Sequence, residues 1–422
     1  MAEVRRSLEP HPPVEPRSLW LTGARVIDGF GGTIERASVE IADGRIVTVH
    51  DGPTPAIPPG AQAIDVAGRM LMPGLIDVHV HLSSYERLPP ILRGEAPRAP
   101  ELRVFELANG ARAFLASGVT TVRDVGSEDD HALLLRDAVR LGLCPGPRIL
   151  TCGRIVSATA PGGVIFGSMY READGPDDMR KAVREQIRRG ADFIKIMSTG
   201  ARSVVFEDPE PAQVTRDELR AVIDEAHRMG RCVSAHAEGL GGARLVIEEG
   251  VDTIEHGLSL HRAPDLLDAM AEQGIVLVPT LTTFHDVSAI NAEHYPAALV
   301  EQAKRQRDDA YRTLVAAHAA GVTMAMGFDS WPPGADALEL VRMVEGGVPV
   351  MDGLVAATRG GAVACGFDDL GVVAPGAIAD LVVVDGDLLT DVAILTDPDR
   401  IWLVVQGGIV VAGTAGPLGP LR

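Results

Sequence analysis

The sequence predicts an α/β protein: a (β/α)8 TIM barrel over residues 71–365, with a small β-sandwich domain formed jointly by residues 19–70 and 366–422. Three observations carry this expectation. The middle of the chain alternates short apolar runs with amphipathic helical stretches, eight times over and with short connections, which is the rhythm of a parallel barrel. The two ends instead read as β-branched runs broken by Gly and Asp, as in SVEIADGRIVTVH near the start and RIWLVVQGGIVVAG near the end. Finally, titratable side chains recur at the C-terminal ends of the middle strands, where such a barrel gathers its active site.

In chain order, residues 1–18 form a proline-rich arm, expected to be mobile or to strap a partner subunit. LWLTGARVID, SVEIADGRIVTVH with its "ADG" hairpin signal, and QAIDVAGRML follow as strands. The barrel strands are expected at LIDVHVHL (75–82), VTTVRDVG (119–126), PRILTCG (147–153), DFIKIMST (192–199), CVSAHAE (232–238), DTIEHG (252–257), IVLVPTL (275–281) and VTMAMGFDS (322–330). Helices lie between them at 101–118, 177–190 and 215–230. The last opens on Thr215 as N-cap with Glu218 three residues on, and closes on Gly230 as C-cap. An open doubly wound sheet is the alternative, but no Gly-rich phosphate loop follows the first strand.

Length and composition bound the function. At 422 residues the chain can hold a barrel of ~250 residues and an accessory domain. With 39 basic against 58 acidic residues the net charge is -19; this excludes nucleic acid and anionic membrane as expected partners and leaves a small-molecule substrate. Cys144, Cys152, Cys232 and Cys365 have neither zinc-ribbon nor Cys-x-x-Cys spacing, so they read as reduced core residues of a cytoplasmic protein. No signal-peptide pattern and no run of ~18 apolar residues is present.

The chemistry begins at LIDVHVHL. Strand side chains alternate faces, so His79 and His81 point to one side and can grip one metal ion; the bland alternative is two core histidines, each bonded to a neighbour. Lys195 lies in "FIKIM", His236 ends "SAHAE", His256 ends "IEHG" and Asp329 sits in "GFDS". Each alone is weak, since strand-end histidines are often core or surface and buried lysines usually pair with a carboxylate. Five strands of eight presenting such a group at the same end point to a metal-dependent active site.

With these motifs in view the chain resembles the amidohydrolase superfamily, through "ARVIDG", "MPGLIDVHVHL", "GADFIKIM", "VSAHAEG", "VDTIEHG", "MGFDS" and "PGAIADLVVVDGD". Within it the resemblance is to the Xaa-Pro dipeptidase, imidazolonepropionase-related and ochratoxin-type branch. The resemblance implies two divalent metal ions, Zn first and Co, Mn or Fe otherwise. His79, His81 and Asp329 would hold one and His236 with His256 the other, with Lys195, carboxylated by CO2 to a carbamate, bridging them. It further implies a hydroxide between the ions attacking an amide-type C–N bond, Asp329 moving the proton to the leaving nitrogen, and assembly as a homo-oligomer.

Val164 stands where many enzymes of that branch have a histidine, and Val214 where several have a tyrosine. Those departures point away from ordinary dipeptides toward less usual amides, ureas or carbamates. Tyr170, Arg171, Arg202 and His285 follow strands 3, 4 and 7 and are expected to line the pocket, with surface ion pairs or loop contacts as the alternative. Arg123 and Asp124 are expected to form a structural ion pair beneath the site. His227, His261, His294 and His318 fall in helical stretches and are given no role. A mononuclear deaminase or cyclic amidine hydrolase is the competing function, suggested by Glu238 two residues after His236, and Lys195 separates the two. A non-catalytic scaffold is the third reading, against which the complete ligand set counts.

Overall fold

The structure is a computed structural model that describes residues 18–83, 100–202, 204, 206–290, 292–294 and 297–417. The expected N-terminal arm lies outside the described residues but for Ser18.

Both ends of the chain build one eight-stranded sheet. Strands β1 (Leu19–Ile27), β2 (Thr33–Ala42), β3 (Arg45–Asp51), β4 (Gln62–Asp65) and β5 (Met70–Pro73) come from the first part of the chain. The rest of the sheet comes from the far end of the chain. β6 (Leu75–Val80), β7 (Val119–Asp124) and β8 (Arg148–Thr151) form a parallel three-stranded sheet. β9 (Ile155–Ser157), β10 (Tyr170–Glu172), β11 (Ile194–Met197), β12 (Val233–Ala237), β13 (Thr253–His256) and β14 (Val276–Val278) form a second parallel sheet in the order β10-β9-β11-β12-β13-β14. β15 (Leu381–Val384), β16 (Ile401–Gln406) and β17 (Ile409–Ala412) return to the terminal sheet, whose order is β17-β16-β15-β5-β1-β2-β3 with β4 beside β1. β5 thus carries this sheet through Pro73, past the expected boundary at residue 71.

Seven of the eight expected barrel strands form, and the eighth is a correction. Residues 322–330 make no regular strand, because their backbone alternates partners. Leu277 donates to Thr323 O and Ala325 to Leu277 O, while Val78 donates to Met326 O and Asp329 to His79 O. The segment therefore bonds to β14 on one side and β6 on the other without a continuous ladder. Close approach explains the glycine within it: a Cβ on Gly327 would lie 2.3 Å from Val278 Cγ1 and 2.7 Å from His79 Cβ. β9 and β10 are additional short strands: β9 pairs with β11, and β10 with β9 at the edge of the sheet.

Helices cover the outer faces. Ile194 and Ile196 of β11 point outward into a core with Met179, Val183, Leu219 and Val222, and the alternation then turns Lys195 inward. The helix Arg216–Arg228 has the expected capping box between Thr215 and Glu218, with Met229 as C-cap and Gly230 following in the left-handed region at φ +67°. The expected helices at 101–118 and 177–190 are found at Pro100–Ala116 and Pro176–Arg189.

Candidate metal centre

The four histidines converge. His79 and His81 project from the end of β6 with ring centroids 5.4 Å apart, His79 and His256 are 5.2 Å apart, and His236 and His256 4.6 Å. Asp329 Oδ1 is 3.7 Å from the Nε2 atoms of both His79 and His81. Two groups of donors, each within 4.8 Å of one another, result: His79, His81 and Asp329, and His236, Glu238 and His256.

Hydrogen bonds decide which ring nitrogen faces the site. Nδ1 of His79 is held by Glu255 Oε2 at 2.7 Å, Nδ1 of His81 by Gly126 O at 2.7 Å, and Nδ1 of His256 by the Thr280 hydroxyl at 2.7 Å. A carboxylate or carbonyl can only accept, so Nδ1 of His79 and of His81 carries the proton and the Nε2 lone pair is left for a ligand. His236 is arranged the other way, with Nε2 on Gly200 O at 3.1 Å and Nδ1 left over. Burial pushes His79 down to about 4, and burial with the neighbouring Lys195, His236 and Arg202 charges pushes His236 and His256 well below the usual histidine range. Neutral imidazole is the ligating form.

Beneath His79 lies Glu255, on which four donors converge: His79, Arg123 at 2.7 Å, Ser234 at 2.7 Å and Thr253 at 2.8 Å. Burial alone would raise this carboxyl, but the Arg123 and Lys195 charges and the His79 bond hold it well below the usual range. Lys195 is 2% exposed and its Nζ has no hydrogen-bond partner among the described residues. Burial lowers it to about 8, against the pull of Glu255. Lys195 lies opposite Ser234 of β12, two residues before His236, and its charge disfavours protonation of His79, His236 and His256. A buried ammonium, with three donors and no partner for them, is costly as it stands.

Strain concentrates here. Of six non-glycine residues with positive φ among the described residues, three are His256 (71°), Thr280 (49°) and Asp329 (42°). Backbone held in that region costs of order 1–3 kcal/mol per residue and recurs at functional sites.

The remaining candidates divide. Arg202 belongs to the site: buried, it bonds Glu238 Oε1 at 2.6 Å and Thr283 at 3.1 Å, stacks over Phe284 at 4.1 Å and lies 3.8 Å from Asp329 Oδ2. Arg171 does not reach it; its guanidinium is held by Asp178 at 2.9 Å and Glu185 at 2.7 Å, because the helix Pro176–Arg189 presents both carboxylates to it. Tyr170 is buried and stacked on Phe166. His285 Nε2 meets the Tyr311 hydroxyl at 2.7 Å, and burial, Arg342 and Arg307 push it down to about 4. Val164 is 87% exposed on the short helix Pro161–Phe166, while Val214 is packed in the core. Arg123 and Asp124 do not pair with each other. Neighbours on a strand face opposite ways, so Arg123 reaches Glu255 while Asp124 accepts from Leu82 N, Ser127 and Thr151. Sequence reasoning missed Glu255 and Thr280 altogether; Glu255 faces inward opposite outward Ile254, and its neighbour His256 reaches the same site only because its backbone leaves strand geometry at φ 71°.

Comparison with known proteins supplies the context. A profile of the Amidohydrolase family matches residues 70–411. The chain is 30% identical to the ochratoxinase of Aspergillus niger over 376 residues, 83% of this chain and 77% of that protein. It is 27% identical to the imidazolonepropionase of Paracoccus denitrificans over 85% of this chain and 90% of that one. The crystal structure of a Xaa-Pro dipeptidase with bound methionine in its active site superposes with a TM-score of 0.85 at 28% identity, covering 94% of this chain and all of the other (100%).

Proposed function

The chain belongs to the amidohydrolase family and is a hydrolase acting on carbon–nitrogen bonds, and from that premise we propose that it cleaves an amide-type bond of a small molecule at a centre holding two divalent metal ions. The observation that carries the proposal is the buried Nζ of Lys195, without a hydrogen-bond partner among the described residues, on the strand beside the one that carries His236, in a site with two donor groups: His79, His81 and Asp329, and His236, Glu238 and His256. On this reading the two parallel sheets and residues 322–330 are staves of one (β/α)8 barrel, and the terminal sheet is its β-sandwich companion.

The donors fit such a pair of ions. His79, His81 and Asp329 would hold one, and His236 with His256 the other. Lys195 would join them as a carbamate: the neutral amine, favoured by burial, adds to CO2 and loses a proton, so that a cation becomes an anion with two oxygens. Zn is the first choice, with Co, Mn or Fe suited to the same ligands. Bound divalent ions supply a hydroxide nucleophile at neutral pH and polarise a carbonyl.

The chain's own groups do the rest. Asp329, set beside His79 and His81 on strained backbone, accepts a proton and passes it to the leaving nitrogen. Arg202, close to Asp329, orients a carbonyl or carboxylate of the substrate, a task that exposed Val164 and buried Val214 cannot perform. The relatives' names point to an Xaa-Pro dipeptide or ochratoxin-type amide; N-acyl amino acids, aryl amides, ureas and carbamates complete the set to screen.

One observation favours a mononuclear deaminase-like reading: Glu238 is buried beside His236, and its Oε2 has no partner among the described residues. Lys195 opposes it, since one ion needs no bridging carboxylate. The test is metal analysis and hydrolysis by wild type and Lys195→Ala. About two ions per chain, loss of turnover in the variant and partial rescue by formate are expected. One ion per chain with full activity in Lys195→Ala would overturn the binuclear reading.

A further inference from the structure

At the end of the strands opposite the histidines, the structure holds a cavity of about 390 Å³. Its walls come from segments that lead into β8, β11 and β12, from the helix His131–Arg140, and from residues 364–367. The lining has two characters. Phe193, Ile149, Val139 and Met229 are apolar, whereas Arg123, Arg136, Arg140, Arg148 and Arg231 bring five guanidinium groups and Asp192 is the one lining carboxylate.

Neighbouring carboxylates offset part of that charge. Arg136 pairs with Asp192 at 2.8 Å, Arg140 with Asp137 at 3.4 Å, Arg148 with Asp380 at 3.3 Å and Arg123 with Glu255 at 2.7 Å. Arg231 is different: its hydrogen bonds among the described residues go to the carbonyls of Ala191 and Gly230. Carbonyls satisfy its donors without cancelling its charge. Arg148 also keeps a buried Nε with no partner among the described residues. Buried donors and uncancelled positive charge against apolar walls are the chemistry of an anion with an apolar body.

We propose that this cavity is a second ligand site that binds a small amphipathic carboxylate, its acid group on Arg231 and Arg148 and its apolar body against Phe193 and Met229. A planar guanidinium matches a carboxylate fork, and a volume of this size lies in the range of small-molecule pockets. Inorganic phosphate would leave the apolar walls unused. The site does not depend on the hydrolytic reading, because neither Asp329 nor Lys195 lines it. Its floor is nonetheless adjacent to the metal centre: Arg123 lines the cavity and holds Glu255, which holds His79.

The test is calorimetric titration of the metal-loaded protein with 4-phenylbutyrate and with its neutral amide. The acid is expected to bind once per chain, at least tenfold more tightly than the amide. Arg231→Gln should weaken the acid at least tenfold, and Met229→Trp, which narrows the mouth without altering charge, should also weaken it. Asp329→Asn should bind as wild type does. Thermal melts establish that each variant is folded. The proposal falls if the acid does not bind at millimolar concentration, if both cavity variants bind it unchanged, or if Asp329→Asn alone abolishes binding, which would place the acid in the catalytic centre.

Discussion

Glu255 performs no chemical step in the proposed reaction, yet four side chains donate to it and one of them is His79. Its effect is orientation: by accepting from Nδ1 it fixes the tautomer and turns Nε2 toward Asp329. In Glu255→Gln one oxygen becomes an NH2 group that cannot accept, and Arg123 loses its buried counter-charge. Loss of such an outer partner typically lowers metal affinity by ~10–100-fold. Metal titration of the apo protein, followed by turnover, should show that drop; unchanged affinity would remove Glu255 from the positioning role. Lys195 makes the complementary point: Glu255 offsets part of the cost of burying its charge, and the proposed carbamate would remove that charge.

At the scale of elements, the segment 322–330 supplies Asp329 without forming a strand. Its register is set by hydrogen bonds to both β14 and β6 and by the absence of a side chain at Gly327. Gly327→Ala would push against His79 and Val278, and overpacking of this kind costs typically ~1–3 kcal/mol. Denaturant unfolding should report that loss together with reduced turnover, and a variant equal to wild type in both would show that the segment can shift. A second element-scale contact is made by His227, in the last turn of Arg216–Arg228, which meets Asp252 at 2.8 Å just before β13. That bond raises the His227 pKa, although burial opposes it. The folded state therefore binds the proton more tightly than the unfolded one, so the added stability is present below the unfolded value of ~6.5 and is lost as pH rises through the folded value. Because the pair is partly exposed, about 0.3–1 kcal/mol is expected. Unfolding of His227→Gln should show that deficit at pH 6 and none near pH 9; a deficit independent of pH would mean that the contact acts by packing alone.

Across the whole molecule, the ligands proposed for the metals come from β6, β11, β12, β13 and the segment after β14. Ions bound there tie together elements distant in sequence, and ions that bind only the folded state stabilise it by mass action, by ~4 kcal/mol at a thousandfold excess over the dissociation constant. Exhaustive chelation should lower the melting temperature and abolish turnover, with both restored on adding metal back. A melting temperature indifferent to chelation, with metal loss confirmed, would contradict a centre at this position. No helix among the described residues is long and apolar enough to cross a membrane. The net charge of -19 disfavours non-specific attraction to nucleic acid.

The alternation of apolar runs and helices, and the inward direction of His79, His81 and Lys195, were legible in the sequence because a strand repeats every two residues and caps are local signals. So were the capping box at Thr215 and the clustering of His236, His256 and Asp329, since each ends a recognisable strand motif. What the tertiary structure alone decided were pairings across long separations: Arg123 with Glu255 rather than Asp124, and Arg202 with Glu238. His79 and Glu255 are 176 residues apart and Arg123 and Glu255 are 132 apart. No local pattern encodes such partners. Strand periodicity specifies the side of the sheet on which a charge emerges, but which opposite charge it meets depends on how the sheets curl together, and burial then makes that meeting obligatory.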